Sequence, residues 1–175
     1  MLVSEVNGIL QHTPDALEAL LRGAPASALT FREAPDAWHP TEVLCHLADG
    51  EITDWVPRVR LIVGDDPDRR FVPFDRVGGF ARYAGWTAAA VLDEFRRLRG
   101  ENLRYLSGVA LSESTLDRTG VHPEFGNVTL RQLIACWATH DMAHVVQIAR
   151  ILERYFGRDV GPWRAYFSQL RDAPA

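Results

Sequence analysis

The sequence predicts an all-α domain, a four-helix bundle, on three observations. Apolar residues recur at three- and four-residue spacing over four long stretches, and the alternation of a half-buried strand is nearly absent. The stretches carry recognisable start or stop signals. Between the second and third lies residues 64–85, rich in glycine, proline and charge, which reads as a long crossover too short to be a domain. Four long helices with one long crossover imply a bundle whose packing is not sequential.

The first helix runs from about Leu2 to Leu21 and closes on Gly23-Ala24-Pro25. Thr13-Pro14 inside it either kinks the helix or restarts it, because proline lacks a helical N–H. The second runs from about Pro40 to Val63; Pro40 suits a first turn, whereas Pro57 should bend the later part. The third starts at a Thr87 cap and continues through Val91, Phe95, Leu98 and Leu106, with Gly100 a weak point. Ser107 to Val128 reads as an irregular loop with a turn at His122-Pro123-Glu124-Phe125-Gly126-Asn127. Thr129 and Gln132 form a capping box that opens the fourth helix, to about Tyr155. Gly157 and Gly161-Pro162 separate it from a short C-terminal helix, Trp163 to Leu170. No repeat is visible, so residues 1–175 read as a single domain.

Composition narrows the chemistry. A 175-residue chain that is 47% hydrophobic needs no disulfide or structural metal to bury a core. All nineteen basic residues are arginine, which removes Schiff-base and lysine-nucleophile chemistry. A net charge of -4 without a basic run argues against nucleic acid as a partner. No apolar run approaches the ~20 residues of a membrane span, and the N-terminus carries Glu5 where a signal peptide would be basic. A soluble cytoplasmic protein is the expectation. There is no Gly-x-Ser-x-Gly elbow, phosphate loop or Rossmann glycine pattern, and Cys45 and Cys136 form no CxxC pair.

What remains is His140-Asp141-Met142-Ala143-His144 in the fourth helix. Residues four apart project from one helix face, so both imidazoles can meet one ion. On a helical wheel Leu133, Trp137, His144, Ile148 and Ile151 fall within about 80° of His140, with Gln147 beside them. The pair therefore sits in the apolar, inward stripe. Two buried imidazoles need partners, either other side chains or a shared metal. A catalytic metal also needs a third protein ligand and an open position. His46, in a small-residue notch with Glu42, Gly50 and Thr53, is the best candidate; a surface histidine is the alternative. Cys136, one turn before His140, is either an auxiliary ligand or packing, whereas Cys45 points away from His46 and reads as packing. Asp141 either orients a histidine or pairs with an arginine on the helix surface. Asp49 and Glu51 are candidate pocket residues, and His12 and His122 lack partners at ligand spacing.

The segment Trp38-His39-Pro40-Thr41-Glu42-Val43-Leu44-Cys45-His46-Leu47-Ala48-Asp49-Gly50-Glu51 resembles the Trp-x-x-x-Glu-Val-x-x-His-Leu-x-Asp-x-Glu pattern of the DinB-like (YfiT-like) superfamily. His122 to Leu130, followed by His140-Asp141-x-x-His144-x-x-Gln147-Ile148, is similar to the same family's C-terminal signature, and Thr13-Pro14 also fits. The likeness spans about Val3 to Leu152 in the same order. It implies a four-helix bundle of up-down-down-up topology. It also implies a divalent metal (nickel, zinc or iron) held by His46, His140 and His144. His39 departs from the family, which usually has a serine cap there, so that cap is expected to be weaker. Family members include transferases and isomerases that use low-molecular-weight thiols.

Three functional readings follow. One is a metal-dependent enzyme acting on a small-molecule substrate, by thiol transfer or isomerisation, or by hydrolysis. The others are a metal- or ligand-binding module without turnover, and a structural dimer. A homodimer is expected because Trp55 and its apolar neighbours, on the side of the second helix away from His46, must pack either inside the chain or on a partner subunit.

Overall fold

In the computed structural model, which describes residues 3–171, nine α-helical segments and one β-hairpin follow in order. They are α1 (Val3–Leu21), α2 (Ala26–Leu29), α3 (Pro40–Thr53), α4 (Trp55–Val63), α5 (Gly78–Arg82), α6 (Ala88–Ser107), α7 (Glu113–Leu116), β1 (Thr119–His122), β2 (Gly126–Thr129), α8 (Leu130–Phe156) and α9 (Ser168–Arg171). The four long helices of the bundle are α1, α3 continued by α4, α6, and α8. Among the described residues, no helix is long and apolar enough to cross a membrane.

Local chemistry sets the boundaries. Thr129 and Gln132 cap α8 reciprocally, the Thr129 hydroxyl accepting from the Gln132 N–H and the Gln132 side chain accepting from the Thr129 N–H. His39 builds the same box on α3: its Nδ1 accepts from the Glu42 N–H at 3.2 Å, and the Glu42 carboxylate accepts from the His39 N–H at 3.0 Å. The box is complete at His39, an imidazole nitrogen taking the place of the serine hydroxyl as acceptor. The second helix breaks at Asp54 (φ -115°, ψ -70°), ahead of Pro57. The reason is local: the Pro57 ring opposes the carbonyl four residues earlier, that of Thr53. By contrast α1 continues through Pro14 as one helix without restarting. Pro14 cannot bond the Leu10 carbonyl, and the buried Arg99 guanidinium donates to it instead, at 2.7 Å.

The core has two halves. One gathers Leu17 and Leu21 from α1, Val43 and Leu47 from α3, Val91 and Phe95 from α6, and Ile148 and Ile151 from α8. The other gathers Val6 and Leu10, then Trp55 and Ile62, Leu106, and Leu130 and Trp137. Thus α1 and α8 run from the second half to the first, and α3–α4 and α6 run back, which is up-down-down-up. In cross-section α1, α6, α3 and α8 are successive neighbours. Because α4 and α6 belong to parallel neighbours, the chain must return along the bundle between them. That return is residues 64–87, and it is ordered: it carries α5, packed on α3, and Arg70 bridges to Val121 of β1.

Two expectations need correction. Ser107–Val128 is not irregular, for it holds the one-turn helix α7 and the antiparallel hairpin β1–β2. The final helix, expected over Trp163 to Leu170, is split into the 3-10 turn Gly161–Tyr166 and α9, because Phe167 between them is extended (φ -104°, ψ 104°). Trp55, Leu44, Leu47 and Val59 are buried within the chain, so that side of the second helix needs no partner subunit.

Glycine decides two positions. A Cβ on Gly79 of α5 would lie 2.4 Å from the Cys45 carbonyl oxygen and 2.9 Å from Asp49 Cβ on α3. Gly79→Ala should therefore push α5 off α3 and destabilise by about 1–3 kcal/mol, read by denaturant unfolding. Gly100, in the middle of α6, has open space around its Cβ position. Gly100→Ala should stabilise by about 0.5–1 kcal/mol in the same measurement. An unchanged midpoint for Gly79→Ala would contradict the close helix approach.

Candidate metal centre

The antiparallel pairing of α3 with α8 brings His46 to His140 and His144. His46 Nε2 lies 2.9 Å from His140 Nε2, and His144 Nε2 lies 3.1 Å from the same atom. The three histidines form a group able to bind a metal ion, their ring nitrogens all within 4.8 Å of one another. His46 is buried, 3% exposed, which removes the surface alternative. Its small-residue notch receives the crossover: α5 packs on it through Gly79, and Phe74 meets the His46 ring edge-on with centroids 5.3 Å apart.

The donor set fits a cation. His46 Nδ1 donates to the Arg76 carbonyl at 3.0 Å, so its Nε2 is a bare lone pair. His144 Nδ1 donates to Gln147 Oε1 at 2.7 Å, which leaves its Nε2 bare as well. Two lone pairs thus converge on His140 Nε2, which can offer a proton to one of them and no more. A divalent ion satisfies all three nitrogens together. His140 Nδ1 has no hydrogen-bond partner. Packing holds that ring instead, with Trp55 edge-on at 5.1 Å.

Burial keeps the three imidazoles neutral, the metal-binding form. It lowers His46 to about 4 and His140 to about 2, and lowers His144 as well. The sign of the pH dependence follows. In metal-free protein the unfolded chain protonates these histidines below about pH 6.5, while the folded chain resists. The stability is complete above that pH and is lost as pH falls toward 4, by about 1.4 kcal/mol per pH unit for each of His46 and His140, with His144 acting in the same direction. Burial raises Asp54 to about 6, which acts in the opposite direction. The difference between wild type and His140→Ala, both chelator-treated and unfolded at about pH 7.5 and about pH 5, isolates the histidine part. Wild type should lose more stability on acidification than the variant, and parallel losses would contradict it.

A cavity of about 630 Å³ opens beside His46 and His140. Its walls come from α4, α8, the crossover and the hairpin, and include Trp55, Phe71, Phe74, Phe125, Leu133 and Cys136. Cys136 is exposed on this wall and is not one of the three clustered ligands. Cys45 is buried packing. Gln147, besides bonding His144, lines a smaller polar pocket with Glu33, Trp38, Arg76 and Arg150. Asp49 is buried away from the cavity and paired with Arg82 at 2.6 Å. Glu51 and Asp141 are buried together on Arg99, at 2.8 and 2.6 Å, and the Trp137 indole N–H donates to Glu51. The arginine partner expected for Asp141 exists, yet the pair is interior, because Arg99 reaches across the bundle from α6 and both side chains are buried. His12 and His122 lie outside the three-histidine group; His122 lines the cavity wall and caps the hairpin turn, accepting from the Glu124 and Phe125 N–H groups.

Sequence reasoning missed Arg76 and Trp38 as parts of the site. Trp38 lay inside the motif and packs on His46, centroids 5.0 Å apart. Arg76 sits in the crossover thirty residues from His46, where no periodicity marks it.

Comparison with known proteins adds four findings. Residues 9–148 match the family model of the DinB superfamily. The fold is similar to YfiT from Bacillus subtilis, described as a probable metal-dependent hydrolase with an unusual four-helix bundle topology. That likeness has a TM-score of 0.73 at 20% identity, over 89% of this chain and 87% of that one. It is also similar to TT2238, a four-helix bundle protein, with a TM-score of 0.56 at 21% identity, over 84% of this chain and 98% of that one. No curated protein sequence matches the chain.

Proposed function

The chain belongs to the DinB superfamily, and from that premise we propose that it is a divalent-metal-dependent enzyme acting on a small molecule bound in the cavity beside His46 and His140. The observation that carries the reading is the convergence of three neutral Nε2 atoms at the edge of an apolar cavity. His46, His140 and His144 would hold the ion. A divalent ion on three neutral histidines keeps its charge and lowers the pKa of a water or thiol placed beside it.

The chain's own residues do the rest. The Arg76 carbonyl and Gln147 fix the two outer imidazoles, and Trp38 and Trp55 wall the cluster. The aromatic cavity excludes water from a bound substrate. Hydrolysis is the leading reaction, in keeping with the description of the similar YfiT. Transfer or isomerisation with a low-molecular-weight thiol is the second reading. It is favoured by the cavity's acids: Asp54 is tied to Arg58 at 2.7 Å and Glu124 sits on the exposed hairpin turn, so neither is placed as a free base for water.

Metal-loaded protein should turn over aryl esters or amides, or electrophiles with added thiol, and lose the activity on chelation. Ligand-induced stabilisation without turnover would replace the enzyme with a binding module. The homodimer stays part of the proposal on other residues, since Met142 and Val146 are exposed on one side of α8. Light scattering that gives only a 19.6 kDa species removes it.

A further inference from the structure

Arg76 stands apart from the other cations around the site. Arg58, on the cavity wall, is paired with Asp54 at 2.7 Å, and Arg150, in the polar pocket, with Glu33 at 3.2 Å. Arg76 lines both the large cavity and the polar pocket, and among the described residues it makes no ion pair. Its position is not left to chance. The backbone carbonyl of the same residue holds His46, and the guanidinium carbon lies 6.0 Å from the Trp38 ring centre. Arg76 is exposed, and at the mouth of a site that would hold a divalent ion its unpaired guanidinium adds positive potential that favours an anionic ligand.

The remainder of the cavity wall asks for something else. Phe71, Phe74, Val128, Leu133 and Trp55 offer apolar and aromatic surface around about 630 Å³, the size range of pockets that enclose small organic ligands.

We propose that the site takes an amphipathic organic anion, its aromatic or aliphatic body in the apolar cavity and its carboxylate held by Arg76 next to the histidine cluster. The inference rests on the metal-dependent reading of the same site. The planar fork of arginine suits a carboxylate, with two parallel N–H donors for two oxygens. Arg76 thereby acts as a binding and orienting residue, selecting acids over neutral molecules of equal shape.

The probes are 4-phenylbutyrate and its neutral counterpart 4-phenylbutanol, with binding followed by calorimetry or by tryptophan fluorescence. Zinc-loaded wild type should bind the acid about tenfold more tightly than the alcohol. Arg76→Met keeps the backbone carbonyl that holds His46 and removes a positive charge, so it should bind zinc at least as tightly as wild type and lose most of that preference. Arg76→Lys, which restores a charge, should recover part of it. Metal-free wild type should still prefer the acid, and Arg76→Met should abolish the preference there too, which separates the guanidinium from the ion. Equal affinity for acid and alcohol in wild type overturns the proposal, as does an Arg76→Met variant that keeps the preference. A chain that takes up no zinc yet prefers the acid overturns the metal-dependent reading and leaves this one standing.

Discussion

Arg99→Met should destabilise the fold by about 3–5 kcal/mol, the largest loss expected from any single substitution outside the apolar core. Arg99 is 1% exposed and donates to the Leu10 carbonyl, to both Asp141 oxygens and to Glu51. Asn102 and the Trp137 indole complete the shell around Glu51. Methionine fills much of the volume and leaves two carboxylates without their cation in a dry interior. Burial already raises the Glu51 carboxyl above its usual value even with Arg99 in place. The loss should shrink when Glu51→Gln and Asp141→Asn are added to Arg99→Met, because neutral amides leave no unpaired charge. Denaturant unfolding measures all of these variants. A near-wild-type midpoint for Arg99→Met would mean that the network does not hold α1, α3, α6 and α8 in register.

His46→Ala, His140→Ala and His144→Ala should each lose most of the bound metal and the metal-dependent activity with it. Two imidazoles rarely retain an ion that three hold. The expected drop in affinity is at least about a hundredfold for each. The melting temperature of the metal-free variants should change only modestly, because the core is apolar and independent of the ion. His12→Ala and His122→Ala are the controls, and both should keep full metal content. Cys136→Ala should keep it too, since that thiol lies on the cavity wall outside the three-histidine group. Metal retained by His140→Ala would place the ion elsewhere in the chain.

The bundle was legible because its helices repeat. Apolar spacing, the Thr129–Gln132 box and the proline positions mark four long helices in sequence, and two histidines one turn apart on an inward stripe mark a metal. What escaped was whatever depends on partners from distant segments. The strands of the hairpin are four residues each, too short to show alternation, and Gly120 is required by Phe71 and Ile62 packing against it. Asp141 looked like a surface position on a single-helix wheel, which cannot see that Arg99 reaches across the bundle from α6 to that side. Arg99 itself is one of nineteen arginines. Its burial depends on a carbonyl freed by Pro14 in another helix, and no local pattern reports that. The same holds for Arg76, whose meaning comes from where the crossover lies.

The most direct test is the metal stoichiometry of the untagged wild-type chain, purified without chelators and reconstituted in turn with nickel, zinc, iron and manganese. Elemental analysis should find about one divalent ion per chain with at least one of these metals. A chain that stays metal-free with all four would contradict the account at its centre.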